Sequence, residues 1–174
     1  MNGEIDAYTA GIIDGEGTIS ITSCRAKRDY GKKIYKRYFL RVLVSSTEKR
    51  VLEFLKQHYT GNICVQKSFS QKSFSGTKPC YVWRVTDISA ENLLKKITKY
   101  LIIKKNQALN GLEYRKTFGN ALFTLKRDKN GYMIFDPKIW KNREKYYNKS
   151  LLLNNSKFFS KFGTTEYKEK MRNK

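Results

Sequence analysis

Along the first two thirds of the chain, apolar positions pass from helical spacing to strict alternation and back, twice over. This predicts helix, two strands, helix, two strands and then two helices. The first helix is expected over about residues 4–14, ended by Gly15 and Gly17. Residues 18–23 alternate with Ile19 and Ile21 inward, and residues 35–45 alternate again with Leu40, Val42 and Val44 inward; a turn-like segment around 29–31 joins the two. Thr47 is expected to cap a helix through Val51, Leu52 and Leu55 that stops before Thr60 and Gly61. Strands at 63–67 and 81–85 follow, joined by a Ser/Lys/Gly-rich stretch, 68–79, that reads as a hairpin tip. Ser89 is expected to cap a helix carrying Leu93, Leu94 and Ile97, and a further helix spans about 105–117. With no internal repeat, this is a single α+β unit.

Beyond residue 118 the pattern weakens. A turn at 126–131 and a short apolar run at 132–135 precede a helix from about Trp140 to Leu153, then a polar tail. The chain is therefore divided into a core, 1–117, and a basic C-terminal helical extension, 118–174.

Charge adds the first functional clue. The chain of 174 residues carries 36 Lys and Arg against 15 Asp and Glu, a net charge of +21, with the basic residues spread from Arg25 to Lys174. Such a field favours a nucleic-acid partner, without separating DNA from RNA. No apolar run approaches the roughly 20 residues needed to span a bilayer, so no membrane role is expected. The acidic start (Glu4, Asp6) lacks a cleavable targeting pattern, and the expectation is an intracellular, DNA-associated protein of an organelle or of a bacterial or phage host. Cys24, Cys64 and Cys80 are odd in number and lack CxxC spacing, which argues against a disulfide framework or a zinc site. His58 stands alone and reads as a structural residue near a helix end.

Candidate chemistry gathers at the end of the first helix. Ala7, Gly11 and Gly15 recur every four residues and make one face almost bare of side chains, against which a second helix could pack closely. Ile5, Tyr8 and Ile12 are expected to form the core-facing side. A helix that needs both a core and a close helical neighbour suggests pairing with its own copy, so Ala7, Gly11, Asp14 and Gly15 are assigned to a dimer interface. At the end of the bare face, the carboxylate of Glu16 and the carbonyl of Gly15 project as hard oxygen donors, suited to Mg²⁺.

The segment at residues 9–17, TAGIIDGEG, resembles the signature of the LAGLIDADG homing endonucleases. It departs from the consensus at Thr9, Gly15 and Glu16, the last retaining a carboxylate. Residues 47–50, TEKR, resemble the family's second polar active-site cluster, and residues 101–108, LIIKKNQA, the segment carrying its active-site lysine. The resemblance spans roughly residues 8–117. It implies an αββαββα fold with a curved antiparallel DNA-binding sheet and a group I intron-encoded enzyme of the single-motif, homodimeric branch. Glu16 is implied as the metal ligand, Lys104 as the catalytic lysine, and Glu48 and Arg50 as further catalytic candidates. The implied cofactor is Mg²⁺, with Mn²⁺ as substitute, and the implied reaction is cleavage of both strands across the minor groove with short 3′ overhangs.

Strand parity then fixes the reading face. If Ile19 and Ile21 point inward, Ser20, Thr22, Cys24 and Arg28 point outward with Arg37, Phe39, Arg41 and Ser45, and with Cys64, Gln66, Ser68 and Arg84. Arg and Gln side chains on such a face suit guanine and adenine edges in a major groove. The rivals are an intron maturase binding RNA on the same fold, a catalytically silent DNA-binding module, and a basic RNA-binding protein with an accidental motif. The intact Glu16 and Lys104 argue against the second, and the motif against the third.

Overall fold

The computed structural model describes residues 2–28, 33–66, 79–119 and 137–154. Its elements run α1 (Asn2–Glu16), β1 (Gly17–Arg28), β2 (Lys33–Ser46), α2 (Lys49–Tyr59), β3 (Asn62–Val65), β4 (Tyr81–Thr86), α3 (Asp87–Ile97), α4 (Lys105–Lys116) and α5 (Pro137–Asn154). The four strands form one antiparallel sheet in the order β1-β2-β4-β3. This is the αββαββα arrangement followed by further helices. The expected hairpin tip at 68–78, the turn at 126–131, the apolar run at 132–135 and the terminal tail lie outside the described residues.

β1 extends well past its alternating segment, whereas β2 exceeds the expected 35–45 by two residues at its start and one at its end. β1 continues to Arg28 because β2 continues to pair with it, from Gly17 opposite Val44 to Arg28 opposite Lys33. The sequence from Cys24 to Arg28 holds no aliphatic residue larger than alanine, so hydrophobic alternation gave no signal there. Ile19, Ile21, Tyr38, Leu40, Val42, Val44, Trp83 and Val85 turn one face of the sheet to the core, where they meet Leu52 and Leu55 of α2, Leu93, Leu94 and Ile97 of α3, and Tyr114 of α4. Burial of these large apolar side chains, at roughly 1.5–3 kcal/mol each, is the main force holding helices to sheet.

The core side of α1 differs from the expected one. Thr9, Ala10 and Ile13 are fully buried, Ile5 and Ile12 only partly, and Tyr8 is 58% exposed with its ring edge-on to Phe54 at 5.3 Å. Small side chains at 9 and 10 let the helix sit close to the sheet, so Tyr8 is rotated off the core rather than into it. The turn into β1 is equally close: a Cβ at Gly17 would lie 2.7 Å from the Ile13 carbonyl oxygen. Two caps also shift. Glu48, not Thr47, caps α2, in extended conformation and with its carboxylate accepting from the Arg50 N–H. α3 starts at Asp87, whose φ of 49° makes the sharp bend out of β4, so Ser89 falls inside the first turn.

Edge strand β1 is closed by α5. The Ile21 N–H donates to Ser150 Oγ (2.9 Å) and Asn154 Nδ2 donates to the Ile19 carbonyl (3.1 Å), so two groups that a sheet edge leaves open are satisfied by a helix about 130 residues away in sequence. Tyr38 Oη donates to Glu144 (3.1 Å), and its ring lies against Trp140 and Tyr147 at 5.9 and 5.2 Å. The helical extension is thus packed along the core's edge.

Candidate active site and nucleic-acid interface

A helix of 15 residues ends with its last four carbonyls unpaired and a partial negative charge. α1 has no basic residue in its last turn to offset this. The compensation comes from elsewhere. Lys104 Nζ donates to the carbonyls of Ile13 (2.8 Å) and Asp14 (2.5 Å). In return, the Asp14 carboxylate accepts the backbone N–H groups of Ile102 (2.7 Å), Ile103 (3.2 Å) and Lys104 (2.9 Å). The end of α1 and the start of α4 therefore hold each other through five hydrogen bonds.

The electrostatics follow this geometry. Burial alone would raise the Asp14 carboxyl, but the three amide donors and the Lys104 charge together outweigh it and hold its pKa below the ordinary 3.8. Burial pushes the Lys104 ammonium below the usual lysine range, while the charges of Asp14 and Glu16 pull it back up. Glu16 itself is exposed, as are Ala7, Gly11 and Gly15, and a Cβ at Gly11 or Gly15 would meet nothing within 4 Å. The bare face is open along α1, opposite the buried Thr9, Ala10 and Ile13. Asp14, expected on the paired face, instead commits its carboxylate to its own chain's loop, because three converging amide N–H groups need an anionic acceptor.

Glu48 and Arg50 lie at the same end of the sheet: Gly17, which follows Glu16, pairs with Val44, two residues before the end of β2. Both are exposed, and they bond mainly to each other, Arg50 Nε to Glu48 Oε1 at 3.0 Å and Nη2 to Oε2 at 3.2 Å. Among the described residues, no three His, Cys, Asp or Glu side chains converge on one point. The donors present at the end of α1, one exposed carboxylate and a backbone carbonyl at a negative helix terminus, fit Mg²⁺, which takes few protein ligands and keeps waters.

The other sheet face carries no described helix. Ser20, Thr22, Cys24, Arg37, Phe39, Arg41, Ser45, Cys64 and Arg84 share its parity, and Gln66 continues β3, its N–H bonded to the Cys80 carbonyl at 2.8 Å. Ser68 and the side chain of Arg28 lie outside the described residues. Thr18, Leu43, Asn62 and Thr86 belong to the same face, as the period of two already implied. Ser20 Oγ, Thr22 Oγ1 and Arg41 Nε are shielded from solvent without a hydrogen-bond partner among the described residues. Burial, then the neighbouring Arg84 charge, lowers the Arg41 pKa. Two adjacent guanidiniums and unspent hydroxyls make a face that gains from meeting acceptors.

No protein-family model and no curated protein sequence matches the chain. Solved structures do. The homing endonuclease I-CvuI, in complex with the I-CreI target in the presence of Mg, superimposes with a TM-score of 0.64 at 19% identity, covering 94% of this chain and 98% of its own. The archaeal intron-encoded homing endonuclease I-Vdi141I, complexed with DNA, gives 0.51 at 22% identity over 81% of this chain and 95% of its own. The group I intron-encoded homing endonuclease I-CeuI, complexed with DNA, gives 0.58 at 16% over 84% and 66%. The fold is that of the homing endonucleases. The TAGIIDGEG segment, which resembles the LAGLIDADG signature, closes α1 and opens β1 of that fold.

Proposed function

We propose that the chain is a site-specific DNA endonuclease that binds a long, roughly palindromic duplex as a homodimer and hydrolyses both strands across the minor groove, leaving short 3′ overhangs. The observation that carries this reading is the open face of α1 ending in exposed Glu16, with Lys104 fastened beside it. Two copies paired on Ala7, Gly11 and Gly15 bring two such ends to one axis. The Glu16 carboxylate and the Gly15 carbonyl would hold Mg²⁺, or Mn²⁺ in its place, which when bound supplies polarisation of the scissile phosphate and a more acidic water. An ammonium has three N–H donors. Two on Lys104 are spent on the Ile13 and Asp14 carbonyls, and the third is left to meet charge developing on the phosphate. Arg41, Arg84 and the hydroxyls of Ser20 and Thr22 supply base and backbone contacts in the major groove.

The test is incubation of the purified chain with a duplex spanning an intron-free insertion site, with and without Mg²⁺. Metal-dependent double-strand breaks at one position support the reading. Tight binding with no cleavage under any divalent ion would reduce the chain to a DNA-binding module, and preference for intron RNA over the duplex would make it a splicing cofactor.

A further inference from the structure

α5 presents two unlike sides. Trp140, Glu144, Tyr147, Ser150 and Asn154 fall on one side of the helix, which packs on β1 and Tyr38. Lys141, Lys145 and Lys149 fall on the opposite side, at 100° per residue, and all three are exposed. Their spacing of four residues sets them about 6 Å apart along the axis and turns each about 40° from the last, a winding row of three charges on one side of the helix. The single acidic residue of the helix, Glu144, is turned inward to Tyr38 and does not offset them.

Several lysines elsewhere on the surface are placed differently. Lys49 pairs with Glu53 (2.9 Å), Lys95 with Glu91 (2.7 Å) and Lys116 with Glu113 (2.6 Å), while Lys96 and Lys99 lie over the rings of Tyr59 and Tyr100. The row on α5 meets no carboxylate among the described residues. Position sharpens the contrast. A sheet lying in a major groove about 12 Å wide has a phosphodiester wall along each edge. β1 is an edge strand, and α5 is fixed along that edge by hydrogen bonds between its Ser150 and Asn154 side chains and the β1 backbone.

We infer that the Lys141, Lys145 and Lys149 face of α5 is a phosphate-binding rail, which engages the DNA backbone beside the base-reading sheet. This rests on the reading of the chain as a DNA-binding protein and extends it to a helix outside the family motif. The rail contributes affinity without base preference, because phosphates carry no sequence information.

The experiment is equilibrium binding of the full chain to a duplex reaching about 10 bp beyond the protected site on each side, as a function of salt. In the triple variant Lys141→Gln, Lys145→Gln, Lys149→Gln, which removes three lysines from each protomer of the homodimer, the slope of log K against log salt should become shallower by about 5, near ~0.9 unit per lost phosphate contact. The loss should be equal for cognate and scrambled duplexes. The triple Arg variant should restore the slope, and Lys95→Gln, Lys96→Gln, Lys116→Gln should leave it unchanged. An unchanged slope in the α5 Gln variant overturns the rail, as does a loss confined to structured RNA or equal losses in both Gln variants. If the wild-type chain binds no duplex at all, it is the endonuclease reading that fails, and thermal unfolding of each variant separates a lost contact from a lost fold.

Discussion

Two acidic–basic constellations sit at the same end of the sheet and are built in opposite ways. Glu48 and Arg50 are two residues apart, exposed and satisfied mainly by each other, and their bonds close within the first turn of one helix. Asp14 and Lys104 are 90 residues apart, and each is held by backbone groups of the other's segment. The first arrangement is a local cap whose charges are already neutralised. The second exists only in the folded chain, keeps one ammonium donor uncommitted, and leaves Glu16 exposed next to it. The difference teaches where chemistry is expected: at groups placed by tertiary structure, not at groups that have paired off locally.

Glu16→Gln should break this contrast most severely. It preserves size and removes the anionic donor, so cleavage should vanish in a plasmid-linearisation assay while gel-shift affinity in Ca²⁺ stays within about twofold. Retained double-strand cleavage would mean that another carboxylate does the work. Lys104→Ala should slow single-turnover cleavage by about 10²–10³-fold, the usual effect of deleting one transition-state donor. Asp14→Asn tests the clasp itself. Losing the charge that gathers three amides should loosen residues 102–104 and misplace Lys104, lowering the single-turnover rate by about 10²-fold. It should also speed amide exchange at those three residues without weakening DNA binding, and a normal rate with unprotected amides would detach the clasp from catalysis. At the small end, Glu48→Ala should cost at most about 1 kcal/mol in urea unfolding, as for a surface helix cap, and change the cleavage rate less than about threefold. A large rate effect there would place residues 48–50 back in the chemistry.

Much of this was visible in the chain before folding. Alternation at Ile19 and Ile21, and at Leu40, Val42 and Val44, assigned both faces of the two long strands, because period two leaves one choice once a face is buried. The Ala7, Gly11 and Gly15 spacing likewise marked a bare helix face. What stayed hidden depended on contacts between distant segments or on unusual backbone. The core side of α1 rests on Thr9 and Ala10, small residues with little hydrophobic signal, so the larger Tyr8 was given their place. The start of α3 depends on the positive φ of Asp87, which no periodicity announces. The bonds from Asp14 to residues 102–104, and from Ser150 to Ile21, join positions that sequence spacing cannot relate.

The last of these contacts bears on how the chain keeps to itself. An open β edge offers its N–H and C=O groups to any passing strand, and is the usual starting point for sheet-to-sheet aggregation. In β1 the Ile21 N–H and the Ile19 carbonyl are already occupied by Ser150 and Asn154. α5 is in this sense a guard rail against fibre growth as well as a packed helix. A fragment ending near residue 117 would keep every element of the motif-bearing core and lose that guard. Its failure in solution would then be one of solubility rather than chemistry, with the exposed edge recruiting other chains before any active centre could be assayed.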